Sequence, residues 1–268
     1  MKKLLSTALK VVLFFAGWAI LASVLPIPET EDDVLWRFWA ELMPLAAVVV
    51  FNLLFWLLDR RRVPLGLIGP RPGRAVLCGL GTGVLWIGAA LAILWLSGRM
   101  TVEGVQGAPM LWLWLVALFL NTIMQEMLVR GYLYQRIKAS YNIPAAAIVS
   151  TVIFLLCHGG ALEAGWLPCA NIVLMSLFIT AVLEVTDSLV APVLIHFIWN
   201  SVGGVLFGGV SLAEDYPHLI TITMHGNTLL SGGVFKIEGS AVVLVLNAVF
   251  LAIFAALAWR QRRSATAL

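Results

Sequence analysis

Residues 111–136 read LWLWLVALFLNTIMQEMLVRGYLYQR, an apolar run that polar side chains interrupt in its second half. A transmembrane helix needs about 20 predominantly apolar residues, and the first ten residues of this segment are all apolar. Asn121, Gln125, Glu126 and Arg130 follow in the same run. The segment therefore predicts a transmembrane helix with ionisable groups, which are costly inside a membrane and mark candidate functional residues.

The composition of the whole chain agrees with this interpretation. Of its 268 residues, 61% are hydrophobic and 12% are charged, whereas about a quarter of residues are charged in soluble domains. A soluble globule of this size could not remove so much apolar surface from water. The composition excludes a soluble enzyme, a disordered protein and a nucleic-acid binder. Cys78, Cys157 and Cys169 lie in apolar segments and predict neither a disulfide framework nor a CxxC metal site.

The predicted fold class is all-α, a polytopic membrane helix bundle of about eight transmembrane helices. We expect a single membrane domain over residues 1–268, with a motif-bearing core at about 111–205. The predicted spans are about 7–25, 35–58, 76–97, 111–136, 143–159, 167–186, 188–209 and 241–259. In the longest loop, at about 210–240, residues 220–224 and 234–238 flank a His-Gly-Asn turn and predict a small β-hairpin.

The charges of the loops predict the orientation of the helices. Basic residues gather before the first span and after the second, fourth and eighth, at Lys2, Lys3, Arg60, Arg61, Arg62, Arg71, Arg74, Arg136, Lys138, Arg260, Arg262 and Arg263. The loops on the other side hold Glu29, Glu31, Asp32, Asp33, Glu103, Glu163, Glu214 and Asp215. Because cytoplasmic loops carry an excess of Lys and Arg, we expect both termini in the cytoplasm. The expected location is the plasma (inner) membrane of a bacterium.

Polar residues within the spans form three groups at regular spacing. The fourth span carries Gln125, Glu126 and Arg130, the fifth carries His158, and the seventh carries His196 and Asn200. Residues four apart share a helix face, so Glu126 pairs with Arg130, and Phe154 can pack under His158. If these faces are buried together, they form one internal site. Taken singly, the same residues could instead form a structural ion pair and packed histidines.

This set of side chains suits the hydrolysis of an amide bond within the membrane. A carboxylate and an imidazole can hold and deprotonate a water molecule, and a second imidazole and an amide can donate hydrogen bonds to an oxyanion. An arginine can keep a neighbouring carboxylate ionised. The sequence has no GxSG, HExxH or GxGD motif, so a rhomboid-like serine protease, a classical zinc metalloprotease and an aspartyl intramembrane protease are unsupported.

Three short motifs carry a resemblance to a known family. The residues Gln125-Glu126 with Arg130, Phe154 with His158, and His196 with Asn200 resemble the motifs EExxxR, FxxxH and HxxxN. These motifs mark the CPBP family, which contains CAAX prenyl proteases of the Rce1 type, bacteriocin-processing enzymes and Abi proteins. The resemblance spans about 111–205 with the motif order intact, and the predicted number of helices also agrees.

The resemblance implies a glutamate-dependent intramembrane endopeptidase. It implies that the first motif glutamate and His158 activate water, that His196 and Asn200 form the oxyanion hole, and that Glu126 and Arg130 support the site. The implied substrates are membrane-associated or C-terminally tailed proteins, which enter from the bilayer or the cytoplasmic side. A divalent metal such as zinc, held by Glu126, His158 and His196, is compatible with these residue types.

The sequence departs from the family at the first motif glutamate, where it has Gln125. An amide cannot act as a base at neutral pH. Three alternatives follow: Glu126 has taken the role of the base, or His158 acts alone, or the protein is a weakened protease that binds peptides, as in bacteriocin immunity. The glutamine itself is either natural or engineered. A third hypothesis is a proton-coupled transporter, although the sequence has no inverted repeat.

Overall fold

A computed structural model describes residues 2–210 and 216–266 of the chain. Its helices and strands are, in chain order, α1 Lys2–Val24, α2 Asp33–Leu58, α3 Pro72–Leu96, β1 Met100–Val105, α4 Leu111–Arg130, α5 Tyr132–Ser140, α6 Ile143–Cys157, α7 Gly159–Ala164, α8 Trp166–Thr186, α9 Val190–Ile198, a π-helix Trp199–Leu206, β2 Ile220–Met224, α10 Thr228–Ser231, a 3-10 segment Gly233–Gly239 and α11 Ala241–Thr266. Glu214 and Asp215, which belong to the predicted charge pattern, lie outside the described residues.

The prediction of an all-α, polytopic helical fold is confirmed. Among the described residues, six helices are long and apolar enough to cross a membrane, at Lys3–Val24, Asp33–Leu58, Pro72–Leu96, Leu111–Ser140, Trp166–Thr186 and Gly233–Ser264. The apolar helices Ile143–Cys157 and Val190–Leu206 are shorter. At 1.5 Å per residue they rise about 22 and 26 Å, whereas the hydrocarbon core is about 30 Å thick. The count of eight spans and the cytoplasmic termini therefore stay predictions.

The predicted hairpin in the outer loop is wrong. Residues 220–224 do form strand β2, but β2 pairs antiparallel with β1, so that Met100 faces Met224. Residues 234–238 lie in the 3-10 segment instead of a strand. Gly232 has a φ of +85°, and a Cβ there would lie 1.6 Å from the carbonyl oxygen of Lys236. This tight turn, which only glycine accommodates, folds the chain back on itself and prevents an extended strand.

The residues of the chain group into two compact units, of which the first comprises Met1–Leu67 and Met110–Thr151. Within it α4 ends at Arg130, one residue before Gly131, and α5 begins one residue after it. A Cβ on Gly131 would lie 2.4 Å from both Asn52 Oδ1 and the Met127 carbonyl oxygen. Asn52 accepts a 2.7 Å hydrogen bond from the Tyr132 backbone N–H. A buried amide on α2 thus satisfies the backbone where the helix breaks.

A buried carboxylate joins three elements of the first unit. Asp59 follows α2 and accepts hydrogen bonds from Lys10 on α1 and from the Tyr132 hydroxyl on α5. Arg136 Nε lies 3.3 Å from Asp59 Oδ2. Burial alone would raise the pKa of Asp59, but the hydrogen bonds from Lys10 and Tyr132 and the positive charges of Arg136 and Lys10 hold its pKa below the usual range. Asp59 is therefore an ionised anchor at the end of α2.

The second unit comprises Ile68–Pro109 and Val152–Leu268. Its helices α3 and α9 approach closely because α3 presents glycines to its neighbour. A Cβ on Gly79 would lie 3.0 Å from the Cα of Ala191, and one on Gly83 would lie 2.9 Å from Ile198 Cδ1. At the same helix crossing, the rings of Trp86 and Trp199 stack with centroids 3.9 Å apart. This packing fixes α9 and the π-helix that continues it.

We expect Asp59→Asn to lower the free energy of unfolding by about 2 kcal/mol, because hydrogen bonds to charged groups contribute about 1.5–3 kcal/mol each. Since the folded-state pKa is lowered, the carboxylate stabilises the fold at pH values above its unfolded pKa of about 3.9, and this contribution disappears as the pH falls through the folded value. Thermal unfolding in detergent from pH 7 down to pH 3 measures both effects.

The exposed Glu31 provides the control, since Glu31→Gln should leave the unfolding temperature unchanged at pH 7. An Asp59→Asn variant as stable as Glu31→Gln would show that Asp59 is not an anchor.

Candidate functional site

In the first unit, the glutamate and arginine of the first motif form a buried ion pair. Arg130 Nη1 lies 2.7 Å from Glu126 Oε2, and both side chains are 0% exposed. The spacing of four residues along α4 places them on one helix face. Removing either partner would break a fully buried ion pair, which is costly in an apolar interior. The Glu126 carboxylate therefore holds Arg130, which agrees with the supporting role that the resemblance implies.

Gln125 ends a chain of polar side chains that links α2 to α4. Arg37 Nε lies 2.9 Å from Glu41 Oε1, and the Asn121 amide donates a 2.6 Å hydrogen bond to Glu41 Oε2. The Gln125 amide in turn donates a 2.6 Å hydrogen bond to Asn121 Oδ1. Gln125 Oε1 is buried and has no hydrogen-bond partner among the described residues. From the sequence, Glu41 lies near a helix end and was left out of the predicted site, although its spacing of four from Arg37 was a visible signal.

In the second unit, the end of α6 determines which nitrogen of His158 carries a proton. The backbone N–H of His158 bonds to the Leu155 carbonyl at 3.0 Å instead of continuing the α-helical pattern to Phe154. The carbonyl of Phe154 accepts a 2.7 Å hydrogen bond from His158 Nδ1. Because a carbonyl oxygen can only accept, Nδ1 carries a proton, and in a neutral ring Nε2 would then keep its lone pair.

The structure brings both predicted histidines of the second unit together around one phenylalanine. The ring centroids of Phe154 and His158 are 4.2 Å apart, and those of Phe154 and His196 are 5.8 Å apart. The two imidazole centroids are 6.5 Å apart. His196 is 1% exposed, whereas His158 is half-buried. Phe154 therefore orients both rings, as its spacing from His158 predicted.

Asn200 lies in the π-helix, which the sequence analysis did not predict. A π-helix has i→i+5 hydrogen bonds and is frequently found at functional sites. Because a π-helix has more residues per turn than an α-helix, the spacing of four residues between His196 and Asn200 does not by itself show where the Asn200 side chain points. The preceding residue, Trp199, stacks on Trp86 and donates a 3.4 Å hydrogen bond to Glu238 Oε1.

The segment before α11 thus helps to position the π-helix. Asn171 on α8 donates hydrogen bonds to the backbone oxygens of Glu238, at 2.7 Å, and Ser240, at 3.1 Å. These contacts fix the segment that carries Glu238 against the helices of the second unit. Glu238 and Asn171 are the positioning residues that the sequence analysis missed, because neither belongs to a motif with a defined chemistry.

Within residues 2–210 and 216–266, no group of three His, Cys, Asp or Glu side chains is placed to hold a metal ion. The carboxylate of the predicted zinc set, Glu126, is paired with Arg130. The zinc set of Glu126, His158 and His196 therefore stays a prediction.

A comparison with protein families finds a match in the central part of the chain. Residues 107–202 match the model of the type II CAAX prenyl endopeptidase Rce1-like family. The matched segment contains the Gln125, His158, His196 and Asn200 positions. No curated protein and no solved structure matches the chain significantly. The predicted resemblance is confirmed, and at the family level it supports an integral membrane protein of the CAAX-type intramembrane protease class, a hydrolase.

The buried ion pair of α4 gives a prediction about stability. We expect Glu126→Gln or Arg130→Met to lower the free energy of unfolding by about 3–5 kcal/mol, because each breaks a fully buried ion pair by removing one partner. The double variant should lose less than the sum of the two single losses. Thermal or denaturant unfolding in detergent measures all three variants.

A matched control is the pair of Arg262 with Glu184, which has a 3.0 Å N–O distance but a 48% exposed arginine. Because the Glu184 side chain is only 6% exposed, Arg262→Met should also lower the free energy of unfolding, but by less than Arg130→Met, since water reaches the arginine. Equal losses for Arg262→Met and Arg130→Met would contradict the role of burial.

Proposed function

We propose that the chain is an intramembrane endopeptidase that uses a histidine-activated water. The observation that carries the proposal is the pair of imidazoles, His158 and His196, held 6.5 Å apart by Phe154 inside the segment that matches the Rce1-like family. A proton-accepting nitrogen on one ring and a buried second ring beside it suit acyl transfer to water.

In the proposed reaction, His158 Nε2 accepts a proton from water as the water oxygen forms a bond to the peptide carbonyl carbon. The carbonyl oxygen becomes an oxyanion, which His196 and Asn200 stabilise by donating hydrogen bonds. The C–N bond then breaks, and His158 returns its proton to the leaving amine. Glu126 and Arg130 take no part in proton transfer and keep α4 in place. No carboxylate base is required, which accommodates Gln125.

The proposed substrates are membrane-associated proteins with a C-terminal tail, with prenylated CAAX-type tails as the first class to test. The name of the matched family supports this class. Such a tail reaches the protein from the bilayer or its cytoplasmic side. The proposed topology has both termini in the cytoplasm, which the positive charges at both ends of the chain support, and the proposed location is a bacterial plasma membrane.

The cleavage of a farnesylated, fluorescence-quenched CAAX peptide by the protein in liposomes tests the proposal. We expect His158→Gln to lower kcat/KM by at least about 100-fold, because general-base catalysis contributes about 10²–10⁴. Asn200→Leu should lower kcat by about 100-fold through the loss of an oxyanion donor.

Cys157→Ser is the control, because Cys157 adjoins His158 in sequence and is exposed. We expect this variant to retain the wild-type rate. If the wild-type protein does not cleave the peptide, or cleaves it equally well without His158, the proposed activity is wrong for this substrate class.

A second candidate function is a peptide-binding membrane protein with weak or no protease activity, and Gln125 favours it because an amide is not a base. The two functions predict different results for Gln125→Glu in the same assay. If His158 is sufficient as the base, we expect the variant to change kcat by less than about tenfold. If the wild-type protein only binds peptides, the new carboxylate should raise cleavage by about 100-fold or more.

A further inference from the structure

We propose that Trp86, Asn171 and Asn247 form the binding site of one structural water molecule inside the second unit, and that this water joins α3 to α8 and α11. The inference goes beyond the proposed function and does not depend on it. It concerns a cavity of about 10 Å³, which these three side chains line together with Glu238 and Trp199. Since a cavity needs about 10–15 Å³ to hold one water molecule, this cavity has room for a single water.

Three of the side chains that line this cavity carry a buried polar atom without a partner. Trp86 Nε1, Asn171 Oδ1 and Asn247 Oδ1 have no hydrogen-bond partner among residues 2–210 and 216–266. Trp86 and Asn247 are 0% exposed, and Asn171 is 3% exposed. Each lies on a helix that is long and apolar enough to cross a membrane, where no bulk water satisfies polar groups. Because an unpaired buried polar atom is unfavourable, three of them at one cavity indicate a small polar ligand.

The other partners of the two asparagines determine which end of each amide remains for a ligand. The Asn171 amide nitrogen donates to the backbone oxygens of Glu238, at 2.7 Å, and Ser240, at 3.1 Å. The Asn247 amide nitrogen donates to the backbone oxygen of Asn171 at 3.1 Å. Because a carbonyl oxygen can only accept, these contacts assign the nitrogen of each amide. The two side-chain oxygens are therefore the ends that remain, and both can only accept.

One water molecule matches this set of atoms. Indole Nε1 can only donate, so the site offers one donor from Trp86 and two acceptors from Asn171 and Asn247. The water oxygen accepts a hydrogen bond from Trp86, and its two O–H groups donate to the two asparagine oxygens. These are the three hydrogen bonds that a buried water typically makes. A sodium ion fits less well, because hard cations take oxygen ligands and the indole would present its N–H instead.

The water supports a pair of stacked indoles at the start of the π-helix. Trp86 stacks on Trp199 with ring centroids 3.9 Å apart, and Trp199 donates a 3.4 Å hydrogen bond to Glu238 Oε1. Each indole N–H then has one polar partner, which is the carboxylate for Trp199 and the water for Trp86. Since Trp199 is the first residue of the π-helix, the water helps to hold that helix against α3.

X-ray radiolysis of the protein in nanodiscs tests the site, because hydroxyl radicals formed from a bound water oxidise the side chains beside it. Met175 lines the cavity and is 4% exposed. Met100 in strand β1 is also 4% exposed and is the matched control. Mass spectrometry after brief exposures measures the rate at which each methionine becomes a sulfoxide. We expect Met175 to be oxidised about fivefold faster than Met100, because a bound water lies beside it.

Asn247→Leu replaces an acceptor of the water by an apolar group of similar size. We expect Met175 oxidation in this variant to fall to the Met100 rate. Val245→Leu, at a 61% exposed position of the same helix, should leave the Met175 rate unchanged.

NMR of the wild-type protein with ¹⁵N-labelled indoles gives a second readout, which does not require Asn247→Leu to fold. We expect the Trp86 indole N–H, assigned by its loss in Trp86→Phe, to show cross-relaxation with a long-lived water. The Trp18 indole donates to the Pro44 carbonyl at 3.1 Å and should show none.

Equal oxidation rates of Met175 and Met100 in the wild-type protein would overturn the inference, as would a Met175 rate that Asn247→Leu does not change. A sodium ion at the site would bind the folded protein and raise its unfolding temperature. We expect the same unfolding temperature in sodium chloride and in choline chloride at equal ionic strength. A higher temperature in sodium chloride that Asn247→Leu abolishes would assign the site to the cation and overturn the inference.

Discussion

The need to pair every polar group in an apolar interior determines the arrangement of the candidate site. A bilayer supplies no water to unpaired side chains, so each charge on a spanning helix must have a partner in the protein. Glu126 and Arg130 show this requirement in its simplest form, since both are fully buried and satisfy each other on one face of α4. The Glu126 carboxylate is thereby engaged with Arg130.

The partners of the remaining polar residues determine which atoms they can offer to a ligand. The carbonyl of Phe154 holds the proton of His158 on Nδ1 and leaves the lone pair on Nε2. The chain from Arg37 through Glu41 and Asn121 orients Gln125 with its oxygen at the end. In each case, a hydrogen bond to one atom of the side chain determines whether its other polar atom can donate or accept. Such preorganisation lowers the reorganisation needed during reaction.

Most of the helices and the motif residues were predictable from the sequence, because apolar runs and polar residues within them are strong signals in membrane proteins. Each of the eight predicted spans contains a helix, but α6 is only 15 residues long. The apolar run alone did not show that this helix is shorter than a full membrane span. The hairpin was predicted wrongly because strand β2 has its partner more than 100 residues earlier, in β1.

The finer features of the site depend on contacts between distant segments. The break of α6 at His158 and the π-helix at Asn200 arise from local backbone hydrogen bonds that no residue pattern specifies. Glu41 is linked to Gln125 through Asn121, which lies 80 residues later in the chain than Glu41. The sequence motifs therefore predict the reacting groups, whereas only the structure identifies the residues that contact them.

The tautomer of His158 tests the central claim most directly. Solid-state NMR of the protein in lipid bilayers, with ¹⁵N-labelled histidine, reports which ring nitrogen carries the proton, and the signal that disappears in His158→Gln assigns the residue. The account predicts a neutral His158 with a protonated Nδ1 and an unprotonated Nε2 at the pH of greatest activity. A proton on Nε2, with Nδ1 unprotonated, would contradict it.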